Sequence, residues 1–160
     1  MDLSLFITKP GMEKLQKRVS YLMNEERPEV IKAISIAREF GDLSENAEYK
    51  AAKERQRAID NEIDYLRRRS ASLKVIDTTD FPKDMVRFGS YCVAVDITTD
   101  EKICYRVVGA EELNFTEEED VQAVSVVSPI GKALLGKKVE EIAMVRAPMG
   151  ERNLRIIEIR

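Results

Sequence analysis

Two apolar stripes with helical spacing, separated by one glycine, limit the folds open to this chain more than any other feature. The first stripe recurs in steps of three and four residues, is interrupted once, and stops before Gly41; its members are Met12, Leu15, Val19, Leu22, Val30, Ile34 and Ala37. The second stripe follows a helix predicted at about 44–74, with members Ala47, Ala51, Ala58, Ile59, Ile63, Leu66 and Leu73. Such spacing is typical of coiled-coil seams. Because the stripes align when the chain folds back, we predict an antiparallel helical hairpin.

Local signals mark the ends of these helices. Thr8 is a good N-cap, and Pro10 falls in the first turn, where its missing N–H costs little. Pro28 should kink or briefly break the first helix, because its ring removes a hydrogen bond and clashes with the preceding turn. Gly41 suits the left-handed position that commonly follows a helix C-terminus. The two arms of the hairpin are therefore predicted to be joined by a tight turn.

From about residue 75 the pattern changes to short β-rich runs separated by turn signals. We predict one short helix at 130–135 and strands at 85–88, 91–97, 103–108, 123–127, 142–147 and 154–159. Alternation of apolar and polar residues favours an antiparallel sheet with one solvent-facing side. The acidic stretch 111–120 is interpreted as a solvated loop. The predicted fold is α+β, with a coiled-coil hairpin domain at 1–76 and a small antiparallel-sheet domain at 77–160.

Composition excludes several classes of function. The 160 residues include no histidine, and Cys92 and Cys104 lack metal-ligand spacing, which removes most zinc sites and every histidine-dependent triad. A net charge of −3 disfavours general binding of duplex DNA, which requires neutralisation of phosphates. No segment approaches the roughly 18 apolar residues of a membrane span, and no signal-peptide pattern is present. We therefore expect a cytoplasmic monomer with neither a membrane nor a duplex-DNA partner.

Oxygen-bearing side chains crowd the turn between the two stripes. Asp42, Ser44 and Glu45 lie beside the predicted start of the second helix, with its free N–H groups. One interpretation is structural, because Asp42-x-x-Glu45 has the form of a capping box and Ser44 is a good N-cap. The other is half of a metal site. Carboxylates suit Mg²⁺, but two of them are too few to hold it tightly, so that a partner has to complete the coordination. The residues alone leave both interpretations open.

Four segments of the sequence resemble one known family. They are ERPE at 26–29, GDLSENAEY at 41–49, AAK at 51–53 and SPIGKALLGK at 128–137. These segments are similar to the bacterial transcript cleavage factors of the GreA/GreB family, and the stretch 41–53 looks more like GreA. The resemblance implies that the helical hairpin enters the secondary channel of bacterial RNA polymerase, and that an FKBP-like C-terminal domain docks on the rim of that channel.

The resemblance also implies roles for individual residues. Asp42 and Glu45 match the acidic pair that helps to hold a second Mg²⁺ in the polymerase active site, and Ser44 matches a position that helps to orient the attacking water. Ser128 and Pro129 match the part of the C-terminal domain that docks on the polymerase. The expected protein is not itself an enzyme. It stimulates the polymerase to cut backtracked RNA internally and so rescues arrested complexes.

Lys50, Lys53 and Arg57 share one face of the second helix just behind the turn. They could contact phosphates of the nascent RNA 3′ end, or they could form a solvated face that pairs with neighbouring acidic residues. Two other functions stay open at this stage. One is a polymerase inhibitor that enters the same channel without stimulating cleavage, and the other is a peptidyl-prolyl isomerase in residues 77–160.

Overall fold

A computed structural model describes residues 3–41, 46–115 and 117–160 of the chain. These residues form two compact units. The hairpin unit is Glu13–Ser72, and the sheet unit combines the residues up to Met12 with Leu73–Arg160. The sequence prediction grouped 1–76 together, whereas the structure places the first residues of the chain with the sheet. None of the helices in the described ranges combines the length and the apolar composition that a membrane span requires.

The predicted α+β fold, with a helical hairpin followed by a sheet domain, is confirmed. The helices of the hairpin are α1 (Lys9–Tyr21), a π-helical turn (Leu22–Glu26), α2 (Arg27–Arg38) and α3 (Ala47–Ser72). Helix α2 packs against α3 in the antiparallel sense that the two stripes predict. Arg27 near the start of α2 pairs with Asp60, whereas Arg38 at its end lies over the ring of Tyr49 near the start of α3. Helix α3 is shorter at both ends than the predicted 44–74.

The π-helical turn accounts for the interruption in the first apolar stripe. Leu15 and Leu22 are buried seven residues apart, as are Val30 and Ala37, but Leu22 and Val30 are eight apart. A seam with a seven-residue repeat therefore carries one extra residue. The turn absorbs it, because the N–H of Arg27 donates to the carbonyl of Leu22, five residues back. The chain stays helical through Pro28, so the predicted break does not occur; the change from the π-helical to the α-helical pattern comes just before it, at Arg27.

The hairpin unit has a thin core, and ion pairs connect α1 and α2 to α3. Its buried apolar side chains form a seam: Leu15, Leu22, Val30, Ile34, Ala37, Ile59, Ile63 and Leu66. Arg18 forms a two-point contact with Glu62, at 2.8 and 3.1 Å. Asp60 accepts from Arg27 Nε at 2.8 Å. The side chains of both pairs remain more than a third exposed, so that water screens the attraction.

The sheet unit contains a five-stranded sheet and the short helix α4 (Pro129–Leu134). Its strands are β3 (Tyr91–Asp96), β4 (Lys102–Val108), β5 (Val121–Ser125), β6 (Ile142–Ala147) and β7 (Gly150–Ile159), in the order β5-β4-β3-β7-β6. Neighbouring strands are antiparallel except β4 and β5, which are parallel, so the sheet is mixed where we predicted an antiparallel one. The core cluster is formed by buried side chains of all five strands, β3 to β7, together with Leu134 of α4.

The strand predicted at 85–88 is wrong. Val86 and Phe88 are buried in the core, which explains the apolar pattern, but the segment is irregular. Its hydrogen bonds go to the chain that follows α4 and not to a strand: Val86 N–H donates to the carbonyl of Lys137, and Gly136 N–H donates to the carbonyl of Val86, both at 2.8 Å.

The start of α1 is anchored inside the sheet unit. Strand β1 (Phe6–Thr8) pairs in parallel with β2 (Lys74–Ile76). Thr8 is the N-cap of α1 as predicted, since its Oγ1 accepts from the Gly11 N–H at 3.2 Å. Glu112, only 1% exposed, accepts from Thr8 N at 2.6 Å, from Thr8 Oγ1 at 2.5 Å and from Gly109 N at 3.3 Å.

This anchor overturns part of the prediction for 111–120. Glu111–Asn114 is a 3-10 turn, and Glu111 and Glu112 are both buried. A carboxylate can be buried there because several donors satisfy it. A side chain at Gly11 would also collide with it, since an added Cβ would lie 2.5 Å from Glu112 Cγ. The beginning of the acidic stretch is therefore structural and not a solvated loop.

Candidate functional site

The candidate site is the turn between α2 and α3, and the end of α2 forms its first border. Beyond Arg38 the helix closes with short-range bonds: Glu39 N–H donates to the carbonyl of Ile36, and Phe40 N–H to the carbonyl of Ala37. Gly41 then takes φ = +110°, a conformation that favours glycine. Among the described residues no atom lies within 4 Å of the Cβ position of Gly41, so the backbone conformation is the reason for a glycine there.

Asn46 forms the other border of the turn. Its Oδ1 accepts from the Tyr49 N–H at 3.1 Å, which makes Asn46 the N-cap of α3 and Tyr49 the third helical residue. Its carbonyl accepts the first helical bond, from the Lys50 N–H. Its Nδ2 donates to the carbonyl of Ala37 at 2.7 Å. One side chain therefore caps α3 and bonds to the last turn of α2.

The predicted residues Asp42, Ser44 and Glu45 lie outside the described residues. Their proposed roles with Mg²⁺ and water stay predictions. The described border does bear on the capping interpretation: the N-cap of α3 is Asn46, not Ser44, and its N3 residue is Tyr49, not Glu45. The sequence reasoning that started the second helix at Ser44 was wrong by three residues.

A shallow groove between α2 and α3 lies next to this turn. Arg38 lies 5.8 Å above the ring of Tyr49, close enough for a cation–π contact. On the α3 side of the groove, Lys53 Nζ donates to Oε1 of Gln56 on the same helix, at 3.4 Å. The groove has a volume of about 290 Å³ and is lined by Ile31, Ile34, Ser35, Arg38, Lys53 and Gln56. Both cations that line the groove thus already have partners within the hairpin unit.

Comparison with known proteins gives the family. Residues 5–75 match the model of the N-terminal domain of a transcription elongation factor, and residues 81–160 match that of the GreA/GreB C-terminal domain. The chain belongs to the GreA/GreB family of transcription elongation factors. This confirms the prediction made from the motifs at 26–53 and 128–137.

Individual relatives of this elongation factor agree over their whole length. It is 44% identical to transcription elongation factor GreA of Syntrophobacter fumaroxidans, with 96% of each chain covered. It is 40% identical to transcription elongation factor GreA of Trichlorobacter lovleyi, covering 100% of this chain and 99% of the relative. The crystal structure of GreA factor homolog 1 of Thermus thermophilus covers 98% of each chain at 26% identity, with a TM-score of 0.42. The assignment therefore rests on the sequences.

The structure places the predicted RNA-contacting cations of this elongation factor on α3. Arg57 pairs with Glu54 at 3.4 Å, and both side chains are at least 70% exposed. Lys53 is partly buried in the groove, whereas Lys50 is exposed. The ion pair of Arg57 fits the structural alternative, but an exposed pair is weak and can exchange for a phosphate. Contact with RNA stays a prediction.

Ser128 and Pro129, the predicted docking residues, begin α4. Ser128 Oγ accepts from the Gly131 N–H at 3.1 Å and donates to the carbonyl of Ser125 at 2.6 Å, so Ser128 is the N-cap. Pro129 occupies the first helical position and is exposed. Gly131 leaves room for the backbone, because a Cβ there would lie 1.9 Å from the carbonyl oxygen of Ser125. Helix capping explains Ser128, whereas the exposure of Pro129 leaves it available to a partner.

Cys92 and Tyr105 are the side chains in the sheet unit to examine for reactivity, because both are buried and have shifted pKa values. Burial raises the pKa of the Cys92 thiol to about 12, so it stays protonated and unreactive at neutral pH. Burial also raises the pKa of Tyr105, whose hydroxyl accepts from Arg152 at 3.4 Å. Among the residues that the structure describes, no group of three or more acidic or cysteine side chains is arranged to hold a metal ion.

Sequence reasoning missed Asn46 and Arg38. The available signal was the residue type of Asn46, because asparagine is among the preferred N-cap residues. Ser44 matched the same rule and was chosen in its place. Arg38 had no local signal, because its contact with Tyr49 appears only after the helices fold back on each other.

Proposed function

We propose that this elongation factor acts on bacterial RNA polymerase in the cytoplasm, by inserting the hairpin tip into the secondary channel. There it stimulates the polymerase to cleave backtracked RNA internally. Asp42 and Glu45 share a second Mg²⁺ with the polymerase, and Ser44 helps to orient the attacking water. The phosphodiester bond is broken in the active site of the polymerase, and this chain is not itself an enzyme.

One observation carries most of the weight of this proposal. Asn46 supplies the N-cap of α3, so that helix does not require a carboxylate at position 42 or 45. The structural interpretation of the acidic pair therefore loses its main argument. Two carboxylates within four positions of the sequence repel each other, and sharing a cation with a partner would offset that cost.

The available ligands fit a shared Mg²⁺ and not a resident one. Carboxylate oxygens are the hard ligands that Mg²⁺ prefers, but the ion takes about six ligands and keeps several waters. Within the described parts of the chain, no acidic cluster could complete such a shell. When bound, Mg²⁺ would stabilise negative charge on the attacking and leaving oxygens of an in-line displacement. This chain contributes charge and position, and the polymerase contributes the remaining ligands.

The decisive variant is Asp42→Asn combined with Glu45→Gln, which removes both charges and keeps the size of the side chains. We expect unchanged melting and polymerase binding, and at least about a tenfold loss of stimulated cleavage. A matched control, Glu13→Gln with Glu25→Gln, removes two exposed charges elsewhere on the hairpin unit and should keep full activity. Full cleavage by the tip variant would overturn the proposal. Loss of activity by the control would show that net charge alone matters.

We further propose that Lys50, Lys53 and Arg57 contact phosphates of the extruded RNA 3′ end. Each phosphate contact adds to the salt dependence of binding. Replacement of all three by alanine should therefore weaken cross-linking of the factor to the RNA 3′ end in a backtracked complex. Binding to polymerase that carries no extruded RNA should not change. Equal cross-linking by the variant and the wild type would contradict this role.

Docking on the polymerase is proposed to involve Ser128 and Pro129. Pro129→Ala keeps the Ser128 cap and removes the exposed ring, so folding should be preserved while affinity for the polymerase falls. An equilibrium titration of labelled factor against polymerase measures this change. Unchanged affinity would remove Pro129 from the docking surface.

A further inference from the structure

The side-chain amide of Asn46 makes two hydrogen bonds, one as an acceptor and one as a donor. Oδ1 accepts from the Tyr49 N–H in the first turn of α3, and Nδ2 donates to the carbonyl of Ala37 in the last turn of α2. A side-chain amide has one acceptor and one donor group, and here each meets its complement. A carboxylate at this position could cap α3 but has no donor for the carbonyl of Ala37. A serine hydroxyl can donate and accept, but its single oxygen lies closer to the backbone than the amide nitrogen, so it could cap α3 without reaching Ala37.

The bond to Ala37 joins chain positions nine residues apart across the mouth of the turn. Ala37 is only 3% exposed, so its carbonyl belongs to the packed seam of the hairpin unit. That carbonyl already accepts from the Phe40 N–H at 3.2 Å, and the amide of Asn46 uses its second lone pair at the shorter distance of 2.7 Å. The last turn of α2 and the first turn of α3 are thus joined by a partly buried hydrogen bond.

A second contact joins the same two helix ends. Arg38, the neighbour of Ala37, lies over the ring of Tyr49, the residue whose N–H Asn46 caps. The cation–π contact and the amide bridge therefore act in parallel on one pair of helical turns. Both positions where the chain leaves α2 and enters α3 are fixed relative to each other by these contacts.

We infer that Asn46 is a positioning residue for stimulated cleavage, because its amide fixes the spacing of the two helix ends that carry the acidic turn. The inference rests on the proposed function of Asp42 and Glu45. A catalytic group displaced by about 1 Å can lose about a hundredfold in rate. An N-cap alone does not set this spacing, so the bond to Ala37 carries the positioning role.

The test compares two variants with the wild type. Asn46→Ser keeps an N-cap but cannot reach Ala37, and Asn46→Ala loses both bonds. We expect Asn46→Ser to retain its melting temperature and its affinity for polymerase, whereas stimulated cleavage at saturating factor falls about 10- to 100-fold. The Mg²⁺ concentration for half-maximal cleavage should rise as well, which a purely structural role would not cause. Asn46→Ala should show the same loss together with a lower melting temperature.

Asn24→Ser is the matched control. Asn24 lies on the same hairpin unit and bonds only to the exposed Ser20 Oγ, at 3.1 Å, among the contacts that the structure describes. It should keep full activity. Wild-type cleavage by Asn46→Ser would overturn the inference, as would a loss that excess factor restores completely. If the Asp42→Asn, Glu45→Gln variant loses cleavage while Asn46→Ser keeps it, only this inference fails. If the double variant keeps cleavage, the proposed function fails first.

Discussion

In the sheet unit every strand from β3 to β7 contributes buried side chains to one cluster, whereas the hairpin unit buries only a seam between its helices. The cluster includes fully enclosed residues such as Tyr105 and Ile156, packed on several sides. The hairpin seam is supplemented by ion pairs such as Arg18–Glu62, whose side chains remain nearly 40% exposed. Both units come from one sequence of ordinary composition, so the difference lies in arrangement.

The difference teaches where stability and function can separate. A multilayer core gains most from burial of apolar area, while two paired helices leave most of their surface in water. The hairpin unit thus has polar and charged positions that its own folding does not require. Those positions include the cations beside the tip. Variants in the two units should therefore differ in kind, with stability lost in one and activity in the other.

The largest difference is expected from matched leucine truncations. Leu154→Ala in the sheet core should cost about 4 kcal/mol, whereas Leu22→Ala in the hairpin seam should cost about 2.5 kcal/mol, because loosely packed helices can close over the cavity. Both leucines are fully buried, so the two variants remove the same atoms from water-free surroundings and differ only in how the neighbours repack. Hydrogen exchange of the amides in each unit, measured as a function of urea concentration, gives the free energy of unfolding of the two units separately. Equal costs would show that the hairpin is packed as rigidly as the sheet core.

The anchor at Glu112 should come next. Glu112→Ala removes the acceptor for both donors of Thr8 and for the Gly109 N–H, which leaves buried N–H groups unpaired. We expect a loss of about 3 kcal/mol in the free energy of unfolding. The control is Glu119→Ala, which truncates an exposed glutamate of the same acidic stretch. It should have little effect on the free energy of unfolding. A loss below about 1 kcal/mol would mean that water replaces the carboxylate.

Glu112 also shows where prediction from sequence ends. Helical periodicity and the Thr8 cap depend on neighbours within a few positions, and they were predicted correctly. The short helix predicted at 130–135 is observed one residue earlier, at Pro129–Leu134. Glu112 and Thr8 are over a hundred positions apart, so no local pattern could distinguish a buried carboxylate from a solvated one. The pairing of β1 with β2, and the irregular but buried Val86, depend on equally distant partners.

The candidate site divides in the same way. The motifs at 26–53 and 128–137 were enough to predict the family, since they depend on residue types at fixed spacing. The role of the acidic pair Asp42 and Glu45 stays a prediction. The local choice of N-cap was wrong, because Ser44 and Asn46 satisfy the same rule and only the bond to Ala37 favours Asn46. That bond forms after the helices fold back, so it depends on the hairpin itself.

A smaller effect is expected from acid, and it belongs to the sheet unit. The N–H of Thr98, then that of Thr99 and the guanidinium of Arg152, hold the pKa of Asp96 below its ordinary value. A carboxyl whose folded pKa is lowered stabilises the fold above its unfolded pKa of about 4, and loses that contribution as the pH falls through the folded value. Asp96→Asn should therefore lower the urea midpoint at neutral pH and flatten its decline below about pH 4.

The control for this pH dependence is Asp80→Asn, on an exposed turn of the same unit. It should leave the decline of the urea midpoint as steep as in the wild type. Since the hydrogen bonds of Asp96 lie within the sheet unit, hydrogen exchange in the hairpin unit should not follow the change. An equally steep decline in Asp96→Asn would assign the acid sensitivity to other carboxylates.

The smallest effect is expected from the ion pair across the hairpin. Arg18 donates two hydrogen bonds to the carboxylate of Glu62, and this contact raises the pKa of the Arg18 guanidinium. Because both side chains are substantially exposed, a double-mutant cycle with Arg18→Ala and Glu62→Ala should give a coupling of only about 0.5 kcal/mol, smaller still in high salt. A coupling above about 2 kcal/mol would mean that the pair is shielded from water. The hairpin would then be held by its charges, and the contrast with the apolar sheet core would become one of chemistry as well as of packing.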